Sequence, residues 1–176
     1  VLGLRVRRNI LVDASYVGAP ITGKAQGIFI ASCDGWVIEE NLFDSNGITG
    51  SMFAHNVYVH ETCGPGDFVS NITSRSASEG AQQRPGGRML NNLALENSYG
   101  LYFGGPGEVS NNVVIDAKDI SPSLPRGTGL LIDGNTTVKG NVVGYNRSGT
   151  GLGSVRAFEL RGLTGTVSGN VAYDWP

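Results

Sequence analysis

One five-residue signature constrains this chain more than anything else in it: an apolar residue, two variable positions, Asn, then another apolar residue. It occurs as Val6-Arg7-Arg8-Asn9-Ile10, Ile38-Glu39-Glu40-Asn41-Leu42, Phe68-Val69-Ser70-Asn71-Ile72, Met89-Leu90-Asn91-Asn92-Leu93, Val109-Ser110-Asn111-Asn112-Val113, Val138-Lys139-Gly140-Asn141-Val142 and Val167-Ser168-Gly169-Asn170-Val171. The steps between its Asn residues are 32, 30, 21, 20, 29 and 29. A repeat of 20 to 50 residues is one supersecondary unit that has no way to bury its apolar face alone, so successive copies must stack.

A second marker lies 12 to 14 residues before most of these Asn residues: Gly followed by a short apolar or alternating run. Gly27-Ile28-Phe29-Ile30, Gly80-Ala81-Gln82-Gln83, Gly100-Leu101-Tyr102-Phe103 and Gly129-Leu130-Leu131-Ile132 carry it, with Asn56-Val57-Tyr58-Val59 and Arg156-Ala157-Phe158-Glu159 as looser versions. Each repeat therefore holds two or three short strands divided by Gly or Asn corners. No stretch of 11 residues or more has a helical period.

Composition agrees with frequent turning: 27 Gly and 14 Asn stand among 176 residues. Only 7 Pro and no three-residue Gly period exclude collagen. An apolar fraction of 40% at a net charge of -2 excludes a disordered chain. No apolar run approaches the ~18 residues of a membrane-spanning helix. Without a Lys/Arg run or a positive balance, nucleic acid is not an expected partner. The opening Val1-Leu2-Gly3-Leu4-Arg5 lacks Met and a signal layout, and reads as part of a longer chain.

Short strands recurring without matched hairpin turns point to one coil of a parallel β-solenoid per repeat. Asn at one corner of every coil stacks its amides into a hydrogen-bonded ladder that also satisfies corner backbone groups. The 20-residue steps mark coils with minimal turns, and the 29 to 32 steps mark coils with one extended loop. These residues, from Leu4 to Tyr173, resemble the right-handed parallel β-helix family of polysaccharide lyases, alginate-type epimerases, pectate-lyase-like proteins and phage tailspikes. The resemblance implies an all-β, right-handed parallel β-helix of about seven coils with an Asn ladder, one domain over residues 1–176. Neither the Asp-Pro-His-Glu signature of the epimerases nor a calcium-ligand cluster is present, so no cofactor and no metal site is indicated. Activity must be read from local residues.

Alternation supplies that reading. With Val57 and Val59 inward, Tyr58 and His60 face out, followed by Gln82 and Arg84 on the next coil, Tyr102 on the one after, then Leu131 and Asp133, and Glu159 and Arg161. Coils ~4.8 Å apart make three of them a strip roughly 10 Å long, the scale of two or three sugar units. Rings, an amide and a guanidinium on one face suit a hydroxylated, acidic polymer. The most polar stretch, Ser74 to Arg88, adds Arg75, Glu79 and Arg88 as substrate-binding candidates beside Tyr58 and Gln82. Gln83 is the anomaly, pointing inward where neighbouring coils have Val59 and Phe103. On a uronate, Arg84 or Arg88 would neutralise the carboxylate and His60 or Tyr102 would act as base or acid, giving β-elimination with His60, Arg84 and Tyr102 as the catalytic set.

Hydrolysis needs two carboxylates across the scissile bond. Glu61 and Glu79 are the nearest, both read as loop residues, and elimination ranks above it. His55, beside a loop, reads as an ordinary residue. Cys33 and Cys63, one coil step apart, are either bridged or two buried thiols. Of the sequons at Asn71, Asn135 and Asn146, the first belongs to the inward ladder. Two functions follow: a secreted, extracellular or cell-surface enzyme acting on an acidic polysaccharide, or a non-catalytic spike, fibre or adhesin segment. Uncapped coil edges imply self-association through the coil ends.

Overall fold

The computed structural model describes residues 1–14, 25–47, 51, 53–117, 127–146 and 155–175. Within them the chain is all-β. It runs β1 (Arg5–Arg7), β2 (Ile10–Val12), β3 (Gln26–Ile30), β4 (Val37–Glu39), β5 (Leu42–Asp44), β6 (His55–Val59), β7 (Gly66–Val69), β8 (Ile72–Ser74), β9 (Glu79–Gln83) and β10 (Gly87–Leu90). It continues through β11 (Leu93–Leu95), β12 (Tyr99–Phe103), β13 (Gly107–Ser110), β14 (Val113–Ile115), β15 (Thr128–Asp133), β16 (Thr136–Lys139), β17 (Val142–Gly144), β18 (Arg156–Arg161), β19 (Val167–Ser168) and β20 (Val171–Tyr173).

Every third strand joins the same sheet. The first sheet is β1-β4-β7-β10-β13-β16-β19, the second β2-β5-β8-β11-β14-β17-β20, and the third β3-β6-β9-β12-β15-β18. All pairings between these strands are parallel. Three-strand turns that return each time beside their predecessor are the architecture of a parallel β-solenoid.

The corners explain the signature. Between the first and second sheets, one residue bends the chain: Arg8, Glu40, Ser70, Asn91 and Asn111 have φ between 55° and 58°, and Gly140 and Gly169 have 64° and 63°. The Asn that follows turns inward. Asn41 Nδ2 donates to Asn71 Oδ1 at 2.9 Å and the Asn41 backbone N–H donates to the same oxygen at 3.1 Å. The same double bond recurs from Asn9 to Asn41, Asn71 to Asn92, Asn92 to Asn112, Asn112 to Asn141 and Asn141 to Asn170. Each inner amide also reaches a carbonyl of the preceding coil, as Asn92 Nδ2 does at Phe68 O. A left-handed non-glycine residue is intrinsically unfavourable, and these bonds hold it by satisfying buried corner groups.

A second corner obeys the same rule and was missed from sequence. Five residues past each signature Asn stand Ala14, Asn46, Ser76, Asn97, Ala117, Asn146 and Trp175, each preceded by a left-handed residue: Asp13, Ser45, Arg75, Glu96, Asp116, Tyr145 and Asp174. Asn46 Nδ2 donates to Leu11 O, and Asn97 Nδ2 to Thr73 O, the equivalent carbonyl two coils on. Ser76 holds the place of an Asn, and Asn56, in β6 of the preceding coil, supplies the missing amide. Asn56 Oδ1 accepts from Asn46 N–H at 3.0 Å and from Asn46 Nδ2 at 2.9 Å, while its Nδ2 reaches Thr73 Oγ1 and Ser74 O.

The core is a set of inward rows. Ile38, Phe68, Met89, Val109 and Val138 line the first sheet, Phe43, Ala94, Val114 and Val143 the second, and Val57, Leu101, Leu130, Val59, Phe103 and Ile132 the third, all buried. Phe43 and Phe68 stack at 6.4 Å. Gly66 has no room for a side chain, because a Cβ there would stand 2.4 Å from the ring of buried Trp36. Among the described residues no helix is long and apolar enough to cross a membrane.

Candidate functional site

The outward face of the third sheet collects the chemistry. Backbone register puts Phe29, Tyr58, Gln82, Tyr102, Leu131 and Glu159 in one row. Asp133 and Arg161 pair in the next row, with Arg84 at the end of its strand bonded through N–H to Val59 O. Simple alternation fails at the leading edge of this sheet. A Cβ at Gly100 would strike Val114, so residue 100 faces inward immediately before inward Leu101. Two consecutive inward positions return the residue before them to the outer face. Thus Glu79 and Tyr99, directly paired across coils, open onto the same side as Gln82 and Tyr102.

A cavity of about 270 Å³ lies there, lined by Glu79, Gln82, Arg84, Tyr99, Tyr102, Leu131 and Arg161. Gln82, with its amide oxygen toward the guanidinium, accepts from Arg84 Nε at 3.1 Å and Nη2 at 3.2 Å. Arg84 Nη1 donates to Glu61 Oε2 at 3.1 Å, and the guanidinium carbon sits 5.3 Å from the centre of the Tyr58 ring. Tyr102 donates its hydroxyl proton to Asp133 Oδ2 at 2.9 Å. Burial, reinforced by that bond and the Asp133 charge, pushes the Tyr102 phenol up to about 12. Arg161 is held by Glu159 at 2.6 Å, which also takes Arg156 at 3.0 Å.

Beside the cavity lies a buried acid–base pair. His55 is 2% exposed and Glu79 8%, and His55 Nδ1 stands 2.5 Å from Glu79 Oε2. The approach is close but off the line of a well-formed hydrogen bond. Ser78 Oγ donates to the same Oε2 at 2.5 Å. Burial alone would raise the Glu79 carboxyl, but His55 and Ser78 outweigh it and hold the group below the usual carboxylate range. His55 also meets the Tyr58 ring edge-on at 5.3 Å, and Phe29, Tyr58 and His60 form an aromatic cluster with centroids 5.4 to 6.1 Å apart.

The sequence-based candidates divide accordingly. Tyr58, Gln82, Arg84 and Tyr102 share one face, with Tyr58 and Gln82 more buried than alternation alone implies because Arg84 and Phe29 pack on them. His60 is on the rim, its Nδ1 3.0 Å from Thr62 Oγ1 and its Nε2 3.5 Å from Glu61 Oε2. Glu79, expected in a loop, instead begins β9. His55, expected to be ordinary, instead begins β6 and is buried. Arg75 is the left-handed corner residue after β8, and its side chain pairs with Asp44 on the second sheet. Arg88 projects from β10 on the first sheet and binds Asp67 directly across the coil at 2.6 and 2.9 Å. Neither joins the cavity. Gln83 does point inward, and its Nε2 ties two carbonyls, Gly66 O at 3.1 Å and Gly86 O at 2.8 Å, which gives it a structural task.

Cys33 and Cys63 are free thiols on adjacent coils with Sγ atoms 3.0 Å apart. Burial, then the bond to Cys63, pushes the Cys33 thiol up to about 12. They underlie the turn that carries His60 and Glu61, through Cys63 N–H to His60 O and Gly64 N–H to Cys33 O. Among the described residues no cluster of three or more His, Cys, Asp or Glu could hold a metal ion. Asn71 is buried in its corner, and of the sequon at Asn146 the residues Arg147 and Ser148 lie outside the described ones.

The fold and this face define a β-solenoid with a polar, aromatic-rimmed cavity on one sheet. No family model matches the chain, and no curated protein or solved structure matches it.

Proposed function

We propose that the chain is a secreted, extracellular or cell-surface carbohydrate-active protein, a right-handed parallel β-helix of about seven coils with an Asn ladder, that binds an acidic polysaccharide along its third sheet and cleaves it by β-elimination. The observation that carries the reading is the cavity in which Arg84 and Arg161 meet Tyr99, Tyr102 and Gln82. Guanidinium groups match carboxylates in a bidentate fork, tyrosine rings offer flat apolar surface with a polar tip, and the amide addresses hydroxyls.

Both arginines already hold carboxylates, Glu61 and Glu159. Such partly exposed pairs are worth only ~0–1 kcal/mol, so exchange of Glu61 for a substrate carboxylate is easy. Once paired to Arg84, the uronate carboxylate is neutralised and the adjacent C–H becomes more acidic. Tyr102 is protonated over the ordinary pH range and suits the acid that meets the leaving oxygen. His60 stands at the rim as the other proton-transfer candidate.

A non-catalytic role draws on a different feature. Ile10, Leu42, Ile72, Leu93, Val113, Val142 and Val171 form one outward aliphatic row in register along the second sheet. Such a row suits a rigid segment packed against another surface. A polyuronate panel separates the two: absorbance of the unsaturated product in the ultraviolet should rise with the unmodified protein and be lost in Arg84→Ala at unchanged circular dichroism. Absence of product on every polyuronate leaves the non-catalytic reading.

A further inference from the structure

We propose that Glu79 is the proton acceptor of the cavity, with His55 and Ser78 as the residues that position it; the assignment rests on the uronate-elimination reading and decides which group performs its first step.

The pair is an expensive thing to place in a wall for stability alone. Burying an acid and a base side by side roughly breaks even at best against apolar residues of the same size. Here it occupies the first positions of two adjacent strands, His55 of β6 and Glu79 of β9, at the edge of the cavity. His55 and Ser78 both address Oε2. No side chain of the described residues bonds Oε1, and Glu79 is part of the cavity lining. Oε2 thus takes both side-chain contacts, the carboxylate also accepts from its own backbone N–H, and Oε1 is the oxygen assigned to the ligand. The bent His55 contact also fits a group that aligns fully only when substrate is bound.

His60 is less suited to the same step. Its Nδ1 is taken by Thr62, it faces Glu61 on the rim, and it is absent from the cavity lining. Carboxylates do remove protons beside a carbonyl when the developing negative charge is neutralised nearby, and Arg84 and Arg161 line the same cavity.

Oε1 of Glu79 takes the proton from the ring carbon next to the substrate carboxylate. The electron pair of that C–H bond forms a double bond to the neighbouring carbon, and the C–O bond on that neighbour breaks. The departing oxygen takes the proton of Tyr102, and water then removes the proton from Glu79 and restores that of Tyr102.

The titratable and charged groups around Glu79 are His55 and Tyr58 from β6, Arg84 following β9, Tyr99 and Tyr102 from β12, Asp133 from β15 and Arg161 from β18. Among them His55 is in direct contact, and its loss raises the carboxyl.

The experiment compares the unmodified protein with Glu79→Gln and His55→Gln on soluble homopolymers of galacturonate, mannuronate and guluronate. Binding is read by calorimetry and elimination by ultraviolet absorbance. The amide in Glu79→Gln is isosteric and still accepts from Ser78, so the fold is retained, checked by circular dichroism. Glu79→Gln should bind the polymer within about threefold of the unmodified protein and eliminate ~10²–10⁴-fold more slowly. His55→Gln should lose less rate and move the acid limb of the pH–rate profile to higher pH, which a purely structural role would not do. Full elimination by Glu79→Gln overturns the assignment and leaves the reading intact. Polymer binding by the unmodified protein without product also overturns the assignment, whereas no binding to any polyuronate removes the reading on which it rests.

Discussion

The exchange of roles between Asn56 and Ser76 can be tested by swapping them back. In coils with Asn at the second corner, the facing position is glycine: a Cβ at Gly27 would sit 2.9 Å from the amide of Asn46, and one at Gly80 would sit 2.6 Å from Asn97 Nδ2. In the coil between them the corner holds Ser76 and the facing position holds Asn56, whose amide takes the place of the absent corner amide and points toward Phe43 O at 3.4 Å. Asn56→Gly alone removes the acceptor of a main-chain N–H at Asn46, which is 1% exposed. An orphaned buried donor costs about 1–3 kcal/mol, and two lost bonds, to Thr73 and Ser74, about 0.5–1.5 kcal/mol each. The total falls near 3–4 kcal/mol, with glycine entropy adding about 0.5–1 kcal/mol. Ser76→Asn alone forces a second amide into filled space, at about 1–3 kcal/mol.

The double variant Asn56→Gly/Ser76→Asn rebuilds the arrangement of the neighbouring coils, so its stability should return to within about 1 kcal/mol of the starting protein. The cycle then yields a coupling of roughly 3.5 kcal/mol or more between residues 20 positions apart. Urea unfolding followed by circular dichroism measures all four corners of the cycle, with the slope of each transition checking that one cooperative unit unfolds. A double variant as unstable as the sum of the singles refutes the exchange, because it would mean that the two side chains act independently.

Two further outcomes follow from the corners. Asn92→Ala orphans the buried Asn71 N–H and removes a donor from Phe68 O, and should cost about 2–4 kcal/mol; Asn170→Ala, at a half-exposed position that water reaches, should cost about 1 kcal/mol or less, and equal melting temperatures would contradict the argument. Burial would raise the Asp44 carboxyl, but Arg75 and Ser74 overcome it and lower it, so its contribution is present above the unfolded value of about 3.9 and is lost as pH falls through the lower folded value. Melting curves below about pH 4 should therefore fall more steeply for the unmodified protein than for Asp44→Asn, and parallel curves would refute that sign.

The outward row from Tyr58 through Gln82 and Tyr102 to Glu159 was legible because strand alternation has period two and the Asn steps fix which residues lie side by side. The second corner was less legible, since its occupants vary among Ala14, Asn46, Ser76 and Asn97. The available signal was their spacing, five residues past each signature Asn. His55 was lost for a related reason, and Glu79, named as a candidate, was placed in a loop instead of at the start of β9. Extending the alternation backward from Val57 puts residue 55 inside, and only the doubled inward position at the sheet edge turns it out again. Arg75 and Arg88 were grouped with Arg84 because they are near in sequence, whereas a solenoid sends neighbouring segments to three different faces.

The irregular steps between the signature Asn residues have a spatial meaning. All of the large variation falls in the connection from the second sheet to the third. That connection has four residues (75–78) before β9 and three (96–98) before β12, but thirteen (13–25) and ten (45–54) on one side and twelve (116–127) and eleven (145–155) on the other. The leading edge of the third sheet thus has its shortest approaches at the two strands that contribute Glu79, Gln82, Arg84, Tyr99 and Tyr102 to the cavity. A stretched polymer lying across the sheet would meet the shortest connections at these two strands. Loop length and residue chemistry change at the same two coils, and the stacking of the other coils needs neither change. That coincidence argues for a site rather than for a locally relaxed repeat.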